Sequence, residues 1–346
     1  MKSTTIAVDV AKSVFEVAIS QRPGRVRERH RLSRARFARF MGEHHPATVL
    51  LEACSSAHYW ARRLQDLGHQ VVLLPPHQVR PYVPRNKTDR TDAKAILEAY
   101  RNEEIHPVPV KSVDQQTLAA LHRIRATWFA TRTARINTVR GLLREMGVVI
   151  PVGAHHVVPQ LRTLIEDAES PIPHALRESL HGSAEEIRRL ETLIAGTERE
   201  LRSLARQMPL VTRLQTIPGI GLLTATALVA FVGDVKRFPS GRHFASYLGL
   251  TPRERSSGNI RRLGRISKRG DTYLRMLLTH GARSVLWSGR RTKKPEPLRA
   301  WALQLQDRRG HNKAAIALAN KLARIIRIIW AVWKEDRMFQ STPRAA

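Results

Sequence analysis

Asp9 stands inside an apolar run, Thr-Ile-Ala-Val-Asp-Val, whose alternation at Ile6, Val8 and Val10 predicts a β-strand. A carboxylate in such a strand is costly to bury unless it is paired or holds a metal, so this position limits what the chain can fold into. After a break at Ala11-Lys12 the alternation resumes at Phe15, Val17 and Ile19, which predicts a second strand in a hairpin with the first. Thr48–Leu51 and Val71–Leu74 are short, fully apolar runs of the kind found in central strands covered on both faces, and Pro75-Pro76 stops the second. Residues 57–67 between them read as a helix, with Tyr59-Trp60 packing it on the sheet. Another helix is expected over 91–100, with Thr88 or Asp89 near its start as a cap.

Three more acids join Asp9. Glu52 closes the strand Thr-Val-Leu-Leu-Glu, so its side chain emerges where sheet gives way to loop. Asp89 and Asp92 lie three apart in Asn-Lys-Thr-Asp-Arg-Thr-Asp-Ala, which puts both on one helix face or helix entry. Oxygen ligands of this type suit Mg2+ or Mn2+. Two such ions about 4 Å apart can activate a nucleophile and stabilise the leaving oxygen of a phosphodiester. Taken singly, Asp92 also reads as a helix-surface charge and Asp89 as a cap. The order strand-Asp, strand-end Glu, helical Asp-x-x-Asp describes a ribonuclease H-like fold, in which a mixed sheet gathers acids at one end.

Charge decides the class of partner. The 346 residues carry 59 Lys and Arg against 29 Asp and Glu, a formal charge of +30, which argues against a small neutral metabolite as sole partner and for a polyanion. Lys236–Pro295 alone holds 16 Lys and Arg against two acids, Glu254 and Asp271. A membrane role fails on length: the most apolar stretch, Ile325–Trp333, contains Arg327 and falls far short of the roughly 20 residues that a spanning helix needs. The first twelve residues do not read as a signal peptide, and a cytoplasmic protein is expected. Cys54 is the sole cysteine, which excludes a disulfide framework and a cysteine-rich zinc site; it reads as a small buried hydrophobe.

A helical section follows the first hundred residues. Leu121, Ile124 and Trp128, then Ile136, Val139, Leu143 and Met146, recur at helical spacing, and a joint rich in Pro and His runs from Pro151 to Pro173. Ile187, Leu190, Ile194, Leu201, Leu204 and Met208 fit heptad a and d positions, with Thr197 filling the remaining d. A helical hairpin or coiled coil fits this spacing, and two ordinary core helices are the alternative. Such an extension commonly pairs subunits, so a homo-oligomer, dimer or tetramer, is expected.

The last section opens with Ile-Pro-Gly-Ile-Gly. Gly219 and Gly221 permit a tight turn, and the helix that follows offers free N–H groups, the pattern of a helix-hairpin-helix element gripping phosphates; a plain helix–helix turn is the alternative. A final helix is expected over 312–333, with Lys313, Lys321, Arg324 and Arg327 on its polar side. Between them, Ser256-Ser257-Gly258 is set among Arg253, Arg255, Arg261, Arg262, Arg265, Lys268 and Arg269. Glycines and arginines together allow close approach to phosphate, and a serine hydroxyl in that field could attack phosphorus. From the residues alone, phosphate binding is favoured over catalysis for these serines.

The segments Arg-Asn-Lys-Thr-Asp-Arg-Thr-Asp-Ala, Ile-Pro-Gly-Ile-Gly, and Tyr-Leu-Gly-Leu-Thr-Pro-Arg-Glu-Arg-Ser-Ser-Gly followed by Leu-Gly-Arg-Ile-Ser-Lys-Arg-Gly-Asp resemble the DEDD transposases of the insertion-sequence one-ten family, most closely its eleven-eleven group. The resemblance spans nearly the whole chain. It implies an α/β ribonuclease H/RuvC-like domain over 1–110, a helical, coiled-coil-like linker over 111–210, and a mainly α transposase domain with a helix-hairpin-helix-like element over 211–346. It further implies that Asp9, Glu52, Asp89 and Asp92 hold Mg2+ and that Ser257, with Ser256 as its rival, is the nucleophile of a transient phosphoserine link to DNA. A structured guide RNA encoded by the element is the other partner implied. The runner-up reading is a RuvC-like metal-dependent junction nuclease in which Ser257 only binds phosphate.

Overall fold

The computed structural model describes residues 4–22, 25–84, 89–290, 295–324 and 329–334. The chain divides into two compact units, Met1–Val113 and Asp114–Ala346.

The first unit is built on a five-stranded sheet in the order β3-β2-β1-β4-β5. The strands are β1 (Thr5–Val10), β2 (Val14–Arg22), β3 (Arg25–Ser33), β4 (Thr48–Glu52) and β5 (Gln70–Leu74). β2 runs antiparallel to β1 and β3, whereas β4 is parallel to both β1 and β5, so the sheet is mixed as the sequence predicts. The helices are α1 (Arg34–Glu43), α2 (Ala57–Asp66), the single turn α3 (Pro76–Val79) and α4 (Asp89–Tyr100); α4 begins beside residues 85–88, so the expected cap Thr88 lies outside the described residues.

Alternation sorts the sheet into two buried faces. Ile6, Val8, Phe15, Val17, Val49 and Leu51 pack with Phe37 of α1 and Trp60 of α2. Phe15, Phe37 and Trp60 meet edge to face with centroids 4.9, 5.1 and 5.2 Å apart, geometry that adds about 0.5–1.5 kcal/mol per pair beyond burial. Tyr59, by contrast, faces outward: helical spacing turns one member of an adjacent pair from the sheet. The opposite face carries Ala7, Ala18 and Leu50 against Ala93, Ile96 and Ala99 of α4. Small side chains at Ala7, Ala18 and Ala93 let this helix lie close over β1 and β2. β3 and α1 are absent from the sequence reading because β3 puts arginine, not an apolar residue, at alternate positions, as an exposed edge strand can.

In the second unit two 33-residue helices, α5 (Val113–Glu145) and α7 (His174–Arg206), run antiparallel. Arg125–Glu198 (2.6 Å), Arg132–Glu191 (3.7 Å) and Arg135–Glu186 (2.7 Å) stitch them with falling numbers on one helix and rising numbers on the other. The buried heptad residues Ile187, Leu190, Ile194, Thr197 and Leu201 are therefore covered within the chain, in an antiparallel pair of helices. At its far end Ile136, Val139 and Leu143 pack with Leu180, Ala184 and Ile187 and with α6 (Val157–Glu166). α6 corrects the expected Pro- and His-rich joint: Pro159 sits in its first turn, where a missing N–H costs nothing.

The buried stripe of α5 also differs from the expected one. Leu118, Ala119 and His122 are buried while Ile124 is 44 % exposed. His122 is accepted because both ring nitrogens are satisfied, Nδ1 by Tyr273 Oη at 3.0 Å and Nε2 by Thr226 Oγ1 at 2.9 Å. Burial first, and the Arg125 charge second, push its pKa down to about 4.

The body of this unit comprises α8 (Pro209–Gln215), α9 (Leu222–Val232), α10 (Gly241–Tyr247), β6 (Pro252–Glu254), β7 (Leu263–Ile266), α11 (Thr272–Gly289), α12 (Pro297–Arg309), α13 (His311–Arg324) and α14 (Ile329–Lys334). Leu228, Phe244, Leu274, Leu278 and Leu318 lie at its core. The expected final helix is described as α13 and α14; residues 325–328, Arg327 among them, and the Arg324 side chain lie outside the described residues. Lys321 is not on a solvated face. Its ammonium lies 3.7 Å from the Trp301 ring centroid, and burial lowers its pKa. No helix among the described residues is long and apolar enough to cross a membrane.

Candidate functional site

Three carboxylates share one rung and one face of the first sheet. Asp9 pairs directly with Glu16 across β1 and β2, and extending the β1–β4 register one residue beyond Val8–Leu51 sets Asp9 beside Glu52. All three have the parity of Ala7, Ala18 and Leu50, hence the face covered by α4. Cys54, two residues past Glu52, donates its S–H to the Val10 carbonyl at 3.8 Å. Burial raises the thiol pKa most, and the charges of Glu52 and Asp9 raise it further.

Asp92 lies one turn before the buried Ile96 on α4, half-buried, with Oδ1 shielded from solvent. Asp89 opens the same helix, and its side chain lies outside the described residues. Among the described residues no three His, Cys, Asp or Glu side chains close into a metal cage. The Asp9–Glu52 pair is nonetheless a fitting seat for Mg2+, which keeps several waters and takes one or two carboxylates plus substrate phosphates. Like charges set side by side on adjacent strands repel, and a divalent cation relieves that repulsion.

The basic segment forms a hairpin of β6 and β7 that stands out from the core, with residues 252–265 exposed. Its tip is a two-residue turn: Ser257 and Ile260 exchange N–H···O bonds of 3.3 and 3.2 Å, and Gly258, at φ +55°, takes the first central position, as a type II′ turn requires. Its base is clamped. Lys268, at φ +55°, donates its N–H to the Gly249 carbonyl (3.1 Å), and buried Arg275 donates to the carbonyls of Leu248 (3.3 Å) and Gly270 (3.0 Å). A Cβ on Gly249 would lie 2.7 Å from the Gly270 nitrogen, so only glycine allows these backbones to meet.

Within the hairpin the two serines differ. Ser256 donates its hydroxyl to Glu254 Oε1 at 2.7 Å and accepts the Arg262 N–H at 3.2 Å, whereas the exposed Ser257 hydroxyl makes no hydrogen bond among the described residues. The cations divide likewise. Arg253 is spent on the Ser267 carbonyl and Arg261 on Glu254, while the side chains of Arg255, Arg262, Arg265, Lys268 and Arg269 reach solvent without a partner among the described residues.

The Ile217–Gly221 turn joins α8 to α9. Gly219 has φ +84°, and a Cβ there would come 2.7 Å from the Gly281 carbonyl of α11, so this glycine serves close packing. Gly221 is exposed, has an ordinary φ of −86° and meets nothing within 4 Å.

Residues 6–148 match the DEDD transposase family model of the IS110 type, described as "Transposase", and residues 211–295 match "Transposase IS116/IS110/IS902 family". The chain is 41 % identical over 341 residues to a "Probable family 20 transposase" of Pseudomonas aeruginosa, covering 98 % of this chain and 99 % of the relative. It belongs to the IS116/IS110/IS902 transposase family. The "Transposase for insertion sequence element IS1111A" of Coxiella burnetii is 38 % identical, covering 97 % of this chain and 91 % of the relative. That for IS1328 of Yersinia enterocolitica is 37 % identical, covering 97 % and 98 %.

As a transposase the protein cleaves and joins DNA, and its DEDD domain is of a type that uses divalent metal. Two residues of this transposase escape sequence reasoning. Glu16 joins the acidic row because β2 is antiparallel to β1, a register that alternation alone does not fix. Gly281 is required by a contact sixty residues away in sequence.

Proposed function

We propose that this transposase cuts and rejoins strands of element-end and target DNA through Ser257, with Mg2+ or Mn2+ held by Asp9 and Glu52 of the sheet and Asp89 and Asp92 of α4. The observation that carries the reading is the pair of serines. Ser256 is consumed in bracing the hairpin, and Ser257 is left at its tip beside Arg255, Arg262 and Arg265, its hydroxyl and their guanidiniums without a partner among the described residues. The sheet order, with β1 flanked by antiparallel β2 and parallel β4, supports reading the first unit as ribonuclease H-like.

A bound divalent cation supplies Lewis-acid stabilisation of phosphodiester oxygens. The chain's own residues do the rest. Arg255, Arg262 and Arg265 grip phosphates around the tip, and their charge favours the serine alkoxide and the charge that develops on phosphorus. The Oγ–phosphorus bond forms as the strand's phosphorus–oxygen bond breaks, and the serine proton passes through solvent to the released strand oxygen. Because one phosphodiester replaces another, the link stores the energy that rejoining needs.

The exposed Gly221 and the half-buried start of α9 present backbone N–H groups to a further phosphate, in the manner of a helix-hairpin-helix element. Three functional segments, 1–110, 111–210 and 211–346, divide these tasks. The acids and Ser257 lie in separate units, and a dimer or tetramer would let subunits complete one another's sites. Sequence choice by pairing with a structured guide RNA follows from the family resemblance, with the arginines giving affinity through phosphates.

The test is cleavage of labelled element-end DNA in Mg2+. Asp9→Asn abolishes cutting and leaves binding nearly intact, and Ser257→Ala abolishes cutting as well. Cutting that persists in Ser257→Ala identifies a metal-only nuclease and overturns the serine assignment.

A further inference from the structure

The rung that holds Glu52, Asp9 and Glu16 continues on β3 to Arg31, which pairs with Glu16. Arg31 Nε lies 3.5 Å from Glu16 Oε1; the Glu16 side chain is 11 % exposed and the Arg31 side chain 70 %. Among the described residues Arg31 is the cation paired with this nearly buried carboxylate, and the pair fixes where that cation stands. Glu16 thus pins Arg31 at the sheet edge, about two strand spacings, or ~10 Å, from Asp9.

A bulge decides which arginines share this face. Arg29 pairs with Ala18 and Arg31 with Glu16, so both project on the acidic side. Between Glu28, opposite Ile19, and Val26, opposite Ser20, β3 carries one extra residue, Arg27. The bulge turns Arg27 toward the opposite face, where it lies 3.3 Å from Glu28, itself 3.7 Å from His30. Val26 packs among the side chains under α4, so Arg25 also falls on the far face.

We propose that Arg29 and Arg31 form a phosphate seat for the single DNA strand entering the acidic row, with Glu16 as the positioning residue that holds Arg31 in line with Asp9 and Glu52. The inference rests on the reading of that row as the metal-binding site. A guanidinium pinned at Nε keeps its forked N–H groups outward, the geometry that takes phosphate oxygens in pairs. Pairing with Arg31 also offsets the negative charge of Glu16, which would otherwise add to the repulsion that a phosphate meets at the row. α4 packs over β1, β2 and β4, and Arg29 and Arg31 on β3 are exposed among the described residues.

The experiment is single-stranded DNA binding by the full-length protein in chelator, followed by anisotropy across a salt series. Arg29→Gln/Arg31→Gln lowers the slope of log K against log salt by about 1.4, at roughly 0.7 per phosphate lost. Arg25→Gln/Arg27→Gln, which removes the same charge from the other face, leaves it unchanged. A version carrying Glu16→Gln as well behaves as the first double variant, so a stranded buried carboxylate is not the cause.

Equal losses in both pairs mean a net-charge effect and overturn the seat, as does no loss in either. A loss seen with an RNA oligonucleotide and not with DNA overturns the assignment to DNA. Arg255→Gln/Arg262→Gln separates the two readings: if it lowers the slope while the edge variants do not, the hairpin proposal stands and this one falls.

Discussion

The Ser256 hydroxyl is tied to Glu254 Oε1 at 2.7 Å, two residues back at the end of β6, and this bond separates two adjacent serines that the sequence leaves equivalent. A hydrogen bond of this kind is worth about 1 kcal/mol, or roughly fivefold in an equilibrium. Ser256→Ala therefore slows strand cleavage by about fivefold through a looser hairpin, whereas Ser257→Ala removes it. Single-turnover cleavage rates of the two variants check this, and the reverse ranking would make Ser256 the nucleophile.

The two turn glycines have opposite sensitivities. A Cβ at Gly281 would overlap the Gly219 carbonyl oxygen, and Gly219 itself needs φ +84°, so Gly281→Ala and Gly219→Ala each destabilise the second unit by about 3 kcal/mol. Gly221→Ala leaves stability within about 0.5 kcal/mol because its Cβ enters open space. Denaturant unfolding measures all three. If Gly221→Ala also weakens DNA binding at unchanged stability, the close approach of phosphate to that backbone is the cause.

His122 makes the second unit sensitive to acid. Its pKa in the folded chain, about 4, lies below the 6.5 of an unfolded histidine, so the unfolded chain binds the extra proton between these values. Stability from this residue is complete above about pH 6.5 and falls as pH drops toward 4, by about 3 kcal/mol in all. His122→Gln flattens the difference in melting temperature across that window. An unchanged pH profile would show that His122 is not neutral and buried in solution.

Crowded carboxylates predict a metal response. Like charges facing each other across a strand pair cost roughly 0.2–1 kcal/mol, so in chelator Asp9→Asn melts above the wild type by about 1–4 °C. Added Mg2+ raises the melting temperature of the wild type and does little for the variant. A wild type indifferent to Mg2+, or a variant that melts lower in chelator, contradicts the row as a cation seat.

The sequence made legible what repeats at short range. β1, β2, β4 and β5 follow from alternation and apolar runs, α2 and α4 from helical spacing, and Asp9 and Glu52 from carboxylates at strand positions where burial needs a reason. β3 stayed hidden because Arg25, Arg27, Arg29 and Arg31 occupy the places where alternation looks for apolar side chains. α6 was masked by the proline and histidines around it, and the stripe on α5 was misplaced because the buried His122 counts as polar until Tyr273 and Thr226 are seen beside it. Glu16 and Gly281 depend on register and on contacts distant in sequence, which no local pattern encodes.

The most direct measurement is a denaturing gel of the transposase incubated with labelled element-end DNA and Mg2+. A protein–DNA adduct is expected in the wild type and in Ser256→Ala, and none in Ser257→Ala or Asp9→Asn. Free cut ends without an adduct, persisting in Ser257→Ala and lost in Asp9→Asn, would contradict that expectation and leave the hairpin serine a phosphate ligand only.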